Sequence, residues 1–135
     1  MRVKRSVSFS ASLVGVPLYV MPLDSTQLKL DEDLRATLFS QDTPITDALS
    51  RLYWQWTNST GSPTPTLFDA MAAAYALDPS LCPATPMHIR IDDRGNTLPE
   101  TGPPNANVCL LSDSDRFFHF YVRTVLSAGA SGVSQ

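Results

Sequence analysis

Asp69 is the residue whose neighbours most restrict its chemistry. It stands between an apolar approach, Leu67-Phe68, and the run Ala70-Met71-Ala72-Ala73-Ala74-Tyr75-Ala76-Leu77. That run favours helix, and its small apolar side chains read as buried on nearly every side. A carboxylate left unpaired in such a setting costs several kcal/mol. The position therefore predicts a partner for Asp69: the amino terminus of its own helix, where an Asp accepts backbone N–H groups for about 0.5–2 kcal/mol, or a metal ion. Asp24, in Asp24-Ser25-Thr26, follows a strand signal and can cap or bend the turn after it. His88 falls in an alternating strand pattern and His119 in an aromatic helix, so both read as packed or surface imidazoles. GxSxG, P-loop, GxGxxG and HExxH patterns are absent from the chain. Chemistry here rests on carboxylates.

The elements that would hold these residues follow from periodicity. Val16-Pro17-Leu18-Tyr19-Val20-Met21 reads as a strand ended by Pro22. Asp31-Glu32-Asp33 starts a short helix with Leu34, Leu38 and Phe39 on one face. Thr43-Pro44 starts a second, with Ile45, Ala48, Leu49, Leu52, Tyr53 and Trp56 as a core-packing stripe and Trp54 off it. Residues 57–66 (TNSTGSPTPT) read as a turn-rich loop. The Ala-rich helix ends at Asp78-Pro79. Met87 to Ile91 alternates like a strand with one wet face, 93–96 (DRGN) is a turn, and Val108-Cys109-Leu110-Leu111 reads as a buried strand. Ser112 or Asp113 caps a last helix carrying Phe117, Phe118, Tyr121, Val122 and Val125. This order predicts an α/β fold, a mixed, parallel-rich sheet flanked by helices. Residues 1–15 form a poorly defined extension, 16–126 one domain, and 127–135 a flexible tail.

With 135 residues, 43% hydrophobic and 17% charged, the chain is of single-domain size and its composition excludes a disordered tail. A net charge of −3 without basic runs beyond Lys4-Arg5 argues against nucleic acid as a partner. No window reaches the ~20 apolar residues that span a bilayer. Arg2, Lys4 and Arg5 before the apolar stretch from Ala11 to Leu23 imitate a signal peptide, but Pro17 and Pro22 interrupt it, and the strand reading is preferred. The compartment stays open, with the cytoplasm preferred. Asn58-Ser59-Thr60 matches a glycosylation acceptor, which carries no weight without a secretory signal. Cys82 and Cys109 lack zinc-type spacing; one disulfide is possible, and two buried thiols are the favoured reading.

Residues 65–81 (PTLFDAMAAAYALDPSL) and 85–92 (TPMHIRID) resemble the carboxyl-terminal part of the inosine/uridine-preferring nucleoside hydrolases. Residues 16–27 (VPLYVMPLDSTQ) are similar to that family's strand ending in L-D-x-T-H, and residues 104–118 (PNANVCLLSDSDRFF) to its closing segment. The resemblance implies a partial nucleoside-hydrolase-like fold and hydrolysis of the N-glycosidic bond of purine or pyrimidine ribonucleosides at a calcium ion. By residue-wise transfer, Asp69 matches a calcium-ligating aspartate that also contacts ribose hydroxyls. Thr26 matches a threonine whose backbone carbonyl ligates the same ion. Phe68 stands at a substrate-binding position where many members carry a histidine proposed to protonate the purine leaving group. Calcium takes 6–8 oxygens and lowers the pKa of a bound water, whose attack on an anomeric carbon follows glycoside-hydrolysis logic. The family's D-x-D-x-x-x-D-D cluster and its Glu-Phe-Asn segment do not occur in this chain. Nor does MRVKRSVSFSAS resemble the family. The resemblance therefore implies a truncated, catalytically incomplete chain, with a missing amino-terminal half and, as is common in the family, homo-oligomers. The alternative is a non-catalytic fragment or subunit that needs a partner chain to complete the site.

Overall fold

The structure, a computed structural model, describes residues 16–130. The extension expected over 1–15 lies outside them. In chain order come β1 (Tyr19–Val20), α1 (Glu32–Phe39), α2 (Pro44–Thr60), α3 (Ala70–Leu77), a 3₁₀ turn (Pro79–Leu81), β2 (Thr85–Met87), β3 (Ile89–Ile91), β4 (Thr97–Pro99), β5 (Ala106–Val108) and α4 (Ser114–Ala130). β5 is central in a mixed sheet, parallel to β1 (Tyr19 beside Asn107) and antiparallel to β2 (Pro86 beside Asn107). The expected α/β class with a mixed sheet and flanking helices is what the chain forms.

Local signals set most helix starts. The Asp31 carboxylate accepts the Leu34 amide at 2.9 Å, and Glu32 and Asp33 favour the positive end of α1. Thr43 and Thr46 form a reciprocal capping box before α2, with Pro44 in the first turn. The helix then runs four residues into the segment expected to be loop. Its small polar residues stay helical because the Ser59 and Thr60 hydroxyls both donate to the Trp56 carbonyl, and Gly61, at φ 68°, supplies the left-handed stop. The stripe of α2 is only half covered: Leu49, Tyr53 and Trp56 are partly buried, whereas Ile45 and Leu52 are exposed.

α3 buries Met71 and Ala74 but leaves Leu77 72% exposed, so the expected all-round burial is wrong. A run of alanines has no strong face of its own, and packing decides which side is covered. The segment from Met87 to Ile91 is two strands, not one, broken at His88. β2 joins the main sheet and β3 pairs with β4 in a hairpin turned at Gly95, φ 86°. Asn105 clamps that break, accepting from the Ile89 amide and donating to its carbonyl. The buried strand expected over 108–111 stops at Val108, and Leu110 and Leu111 are exposed. α4 continues to Ala130, into the segment expected as tail.

Helices and sheet meet in a core of Leu28, Met71, Ala74, Leu81 and Phe117. At its centre Cys82 and Cys109 form a disulfide. The expectation of two thiols fails because the end of the 3₁₀ turn and the end of β5 meet in space, a proximity that sequence spacing does not encode. Among the described residues no helix is long and apolar enough to cross a membrane.

Candidate functional site

β1 and β5 are parallel, so their carboxyl ends open on the same side, the position where open α/β sheets place ligands. Beyond β1 the chain turns tightly. The Ser25 amide and hydroxyl and the Thr26 hydroxyl all donate to the Pro22 carbonyl, which buries Ser25 and Thr26 and leaves Asp24 exposed. Beyond β5, the Ser112 hydroxyl donates to the Ser25 carbonyl at 2.6 Å, tying the two strand exits together. Sequence reasoning saw Ser112 only as a helix cap; Asp113 takes that role, accepting the Arg116 amide. Nothing in the residue types around Ser112 signals a contact 87 positions away.

A third segment comes in from α2. Lys29 pairs with Thr66 in an antiparallel bridge, flanked by hydrogen bonds from Leu30 N to Pro65 O (2.9 Å) and from Leu67 N to Leu28 O (2.8 Å). The arm that continues into Phe68 and Asp69 is thus paired with the segment that follows the turn after β1. The Thr26 carbonyl accepts the Leu28 amide at 2.8 Å, and its second lone pair remains available.

Asp69 is exposed, contrary to the expected buried carboxylate, and it carries no desolvation cost that would demand a partner. It occupies the cap position of α3 but makes no side-chain cap bond, and its backbone is already helical at φ −77°, ψ −20°. Asp31, Asp78 and Asp113 each accept a backbone amide at a helix start; Asp69 does not. The reading of Asp69 as a simple cap fails on this geometry. Phe68 is 42% exposed beside it.

Two hollows among the described residues lie elsewhere. One of about 190 Å³ is wholly apolar, between α1, α2 and the arm, lined by Leu38, Tyr53, Trp56 and Leu67 among others. The other is a groove between α1 and α4, lined by Leu34, Phe118 and His119 among others. Neither is lined by Thr26, Phe68 or Asp69; Phe68 and Asp69 are exposed and Thr26 is buried. His88 is held by the hairpin, its Nδ1 2.7 Å from the Pro103 carbonyl, and His119 is exposed on α4, in keeping with packed or surface imidazoles.

The donor set decides what Asp69 and Thr26 could hold. Asp69 offers two carboxylate oxygens and Thr26 one carbonyl, against the 6–8 that calcium requires. Among the described residues no group of three or more His, Cys, Asp or Glu side chains is placed to hold a metal ion. These residues alone do not fit calcium.

Compared with solved structures, the chain superimposes on a purine-preferring ribonucleoside hydrolase from Gardnerella vaginalis with a TM-score of 0.71 and 19% identity, over 87% of this chain. The fold is that of part of a ribonucleoside hydrolase. The chain spans 42% of the length of that relative in structure. No protein-family model matches it, and no curated protein matches it in sequence.

Proposed function

We propose that this chain acts in hydrolysis of the N-glycosidic bond of ribonucleosides, as one portion of a nucleoside hydrolase whose remaining site carboxylates come from outside the described residues. What supports this reading is the ribonucleoside hydrolase fold together with Asp69, an exposed carboxylate that follows the arm paired to the segment after β1 and makes no side-chain bond among the described residues. Its two oxygens suit the hydroxyls of a ribose, and Phe68 offers an apolar face to the base. In the reaction a water adds to the anomeric carbon as the bond to the base nitrogen breaks, through a transition state of oxocarbenium character. Asp69 holds and orients the sugar. Phe68 cannot give a proton to the leaving base, so protonation falls to another group or to water, and base preference, inosine and uridine included, is set by what completes the site.

Calcium belongs to this proposal only in the completed site, where at least three further oxygens join Asp69 and Thr26. The chain alone is expected to show no calcium-dependent rise in melting temperature and no turnover. When completed by a polypeptide carrying the rest of the fold and its aspartates, it hydrolyses a nitrophenyl riboside, and Asp69→Ala abolishes that activity while leaving the melting curve in place. Full activity in Asp69→Ala refutes the assignment. A second reading, a non-catalytic subunit, is favoured by the exposed Tyr19 and Leu23 along β1, whose outer edge pairs with no strand among the described residues, a surface a partner chain would cover. It predicts a stable complex without hydrolysis.

A further inference from the structure

The Cys82–Cys109 bond has a consequence for compartment, since disulfides form and persist in oxidising surroundings such as the secretory lumen and the cell exterior. That restores meaning to Asn58-Ser59-Thr60, the chain's one Asn-x-Ser/Thr triplet with x other than proline. Asn58 is exposed in the last turn of α2, three residues before the Gly61 stop, and its side-chain amide makes no hydrogen bond among the described residues. Trp54 is 58% exposed and lies one helical turn before Asn58, where residues four apart share a face.

We propose that Asn58 is an N-glycosylation site, taking an oligosaccharide from a lipid-pyrophosphate carrier. The bond that forms joins Asn58 Nδ2 to the anomeric carbon of the sugar. The bond from that carbon to the phosphate oxygen breaks with its electron pair, lipid pyrophosphate leaves, and the amide gives up one proton. The chain is modified before it folds, so helical geometry at Asn58 is no obstacle. The exposed folded position means that the bulk is carried without displacing core.

The test is intact mass and peptide mapping of the full chain purified from its own cells, before and after treatment with a peptide-N-glycosidase. The expected result is a mass that falls on treatment, with residue 58 converted to aspartate. Thr60→Ala should lose the shift while retaining Asn58, and Thr60→Ser should keep it, which separates loss of the acceptor from loss of folding. An unmodified Asn58 peptide in the native protein overturns the proposal. So does a shift that persists in Thr60→Ala.

Discussion

Breaking the Cys82–Cys109 link tests how this small core is held together. The cysteines are 27 positions apart, and closing a loop of that length removes chain entropy from the unfolded state worth about 3.5 kcal/mol at 25 °C. Unfolding entropy near 2.1 cal/mol/K per residue, over 135 residues, converts this into a fall in Tm of about 12 °C. Both side chains are fully buried against Leu28, Met71, Leu81 and Phe117, so serine would add unsatisfied hydroxyls. Alanine at both positions is the cleaner change, and reduction of the native protein isolates the covalent contribution. Thermal melts followed by circular dichroism, oxidised against reduced, measure it. A fall smaller than about 4 °C on reduction would show that the unfolded chain gains little freedom when the loop opens. Two titratable thiols in the native protein would refute the linkage itself, and with it the premise of an oxidising compartment.

Three further outcomes follow from side chains elsewhere in the fold. Phe68→His, in the completed enzyme, should supply a leaving-group acid and improve purine nucleosides by about 10-fold or more relative to a nitrophenyl riboside, whose leaving group needs no proton; equal effects on both substrates count against that role. The Asp78 carboxyl lies below its ordinary value of 3.8 because the Ser80 hydroxyl and amide donate to it, with Arg116 and Arg123 nearby. A depressed folded pKa gives stability that is present above the unfolded value and lost as pH falls through the folded one, so Asp78→Asn should flatten the acid limb of a stability–pH curve below about pH 4, and an unchanged limb would locate acid sensitivity elsewhere. Gly129→Ala would set a Cβ 2.8 Å from the Thr43 hydroxyl oxygen, displacing the capping box of α2 at a cost of about 1 kcal/mol, read by urea unfolding.

What could be read before folding was whatever is encoded within a few residues. The caps at Asp31 and Thr43, the Gly95 turn and the parallel-containing α/β class depend on neighbours in sequence, and they form as expected. Most of the failures are non-local, and the local one turns on hydroxyls finding a backbone partner. Nothing in the triplet 58–60 says that two hydroxyls can satisfy the Trp56 carbonyl and prolong a helix, and nothing in five alanines says which side of α3 meets Leu28 and Phe117. The disulfide depends on β5 ending beside the 3₁₀ turn, and the break at His88 on Asn105 reaching Ile89 across 16 positions.

Asp69 is exposed where burial is expected, and the packing on either side of it shows why. Its burial was inferred from the apolar residues on either side, yet those residues do different work. Leu67 is drawn inward by the pairing of the arm with Leu28 and Leu30, while α3 turns only Met71 and Ala74 to the core, and Asp69 emerges between them into solvent. An exposed carboxylate incurs no desolvation cost, so neither ion pairing nor a metal is needed to explain how the fold tolerates it. Nor does capping explain it, because a helix-start bond worth about 1 kcal/mol, which Asp31 and Asp113 both make, is left unmade. Stability therefore gives no reason for an acid at this position, which follows directly on the arm that the Lys29–Thr66 bridge ties to the segment after β1.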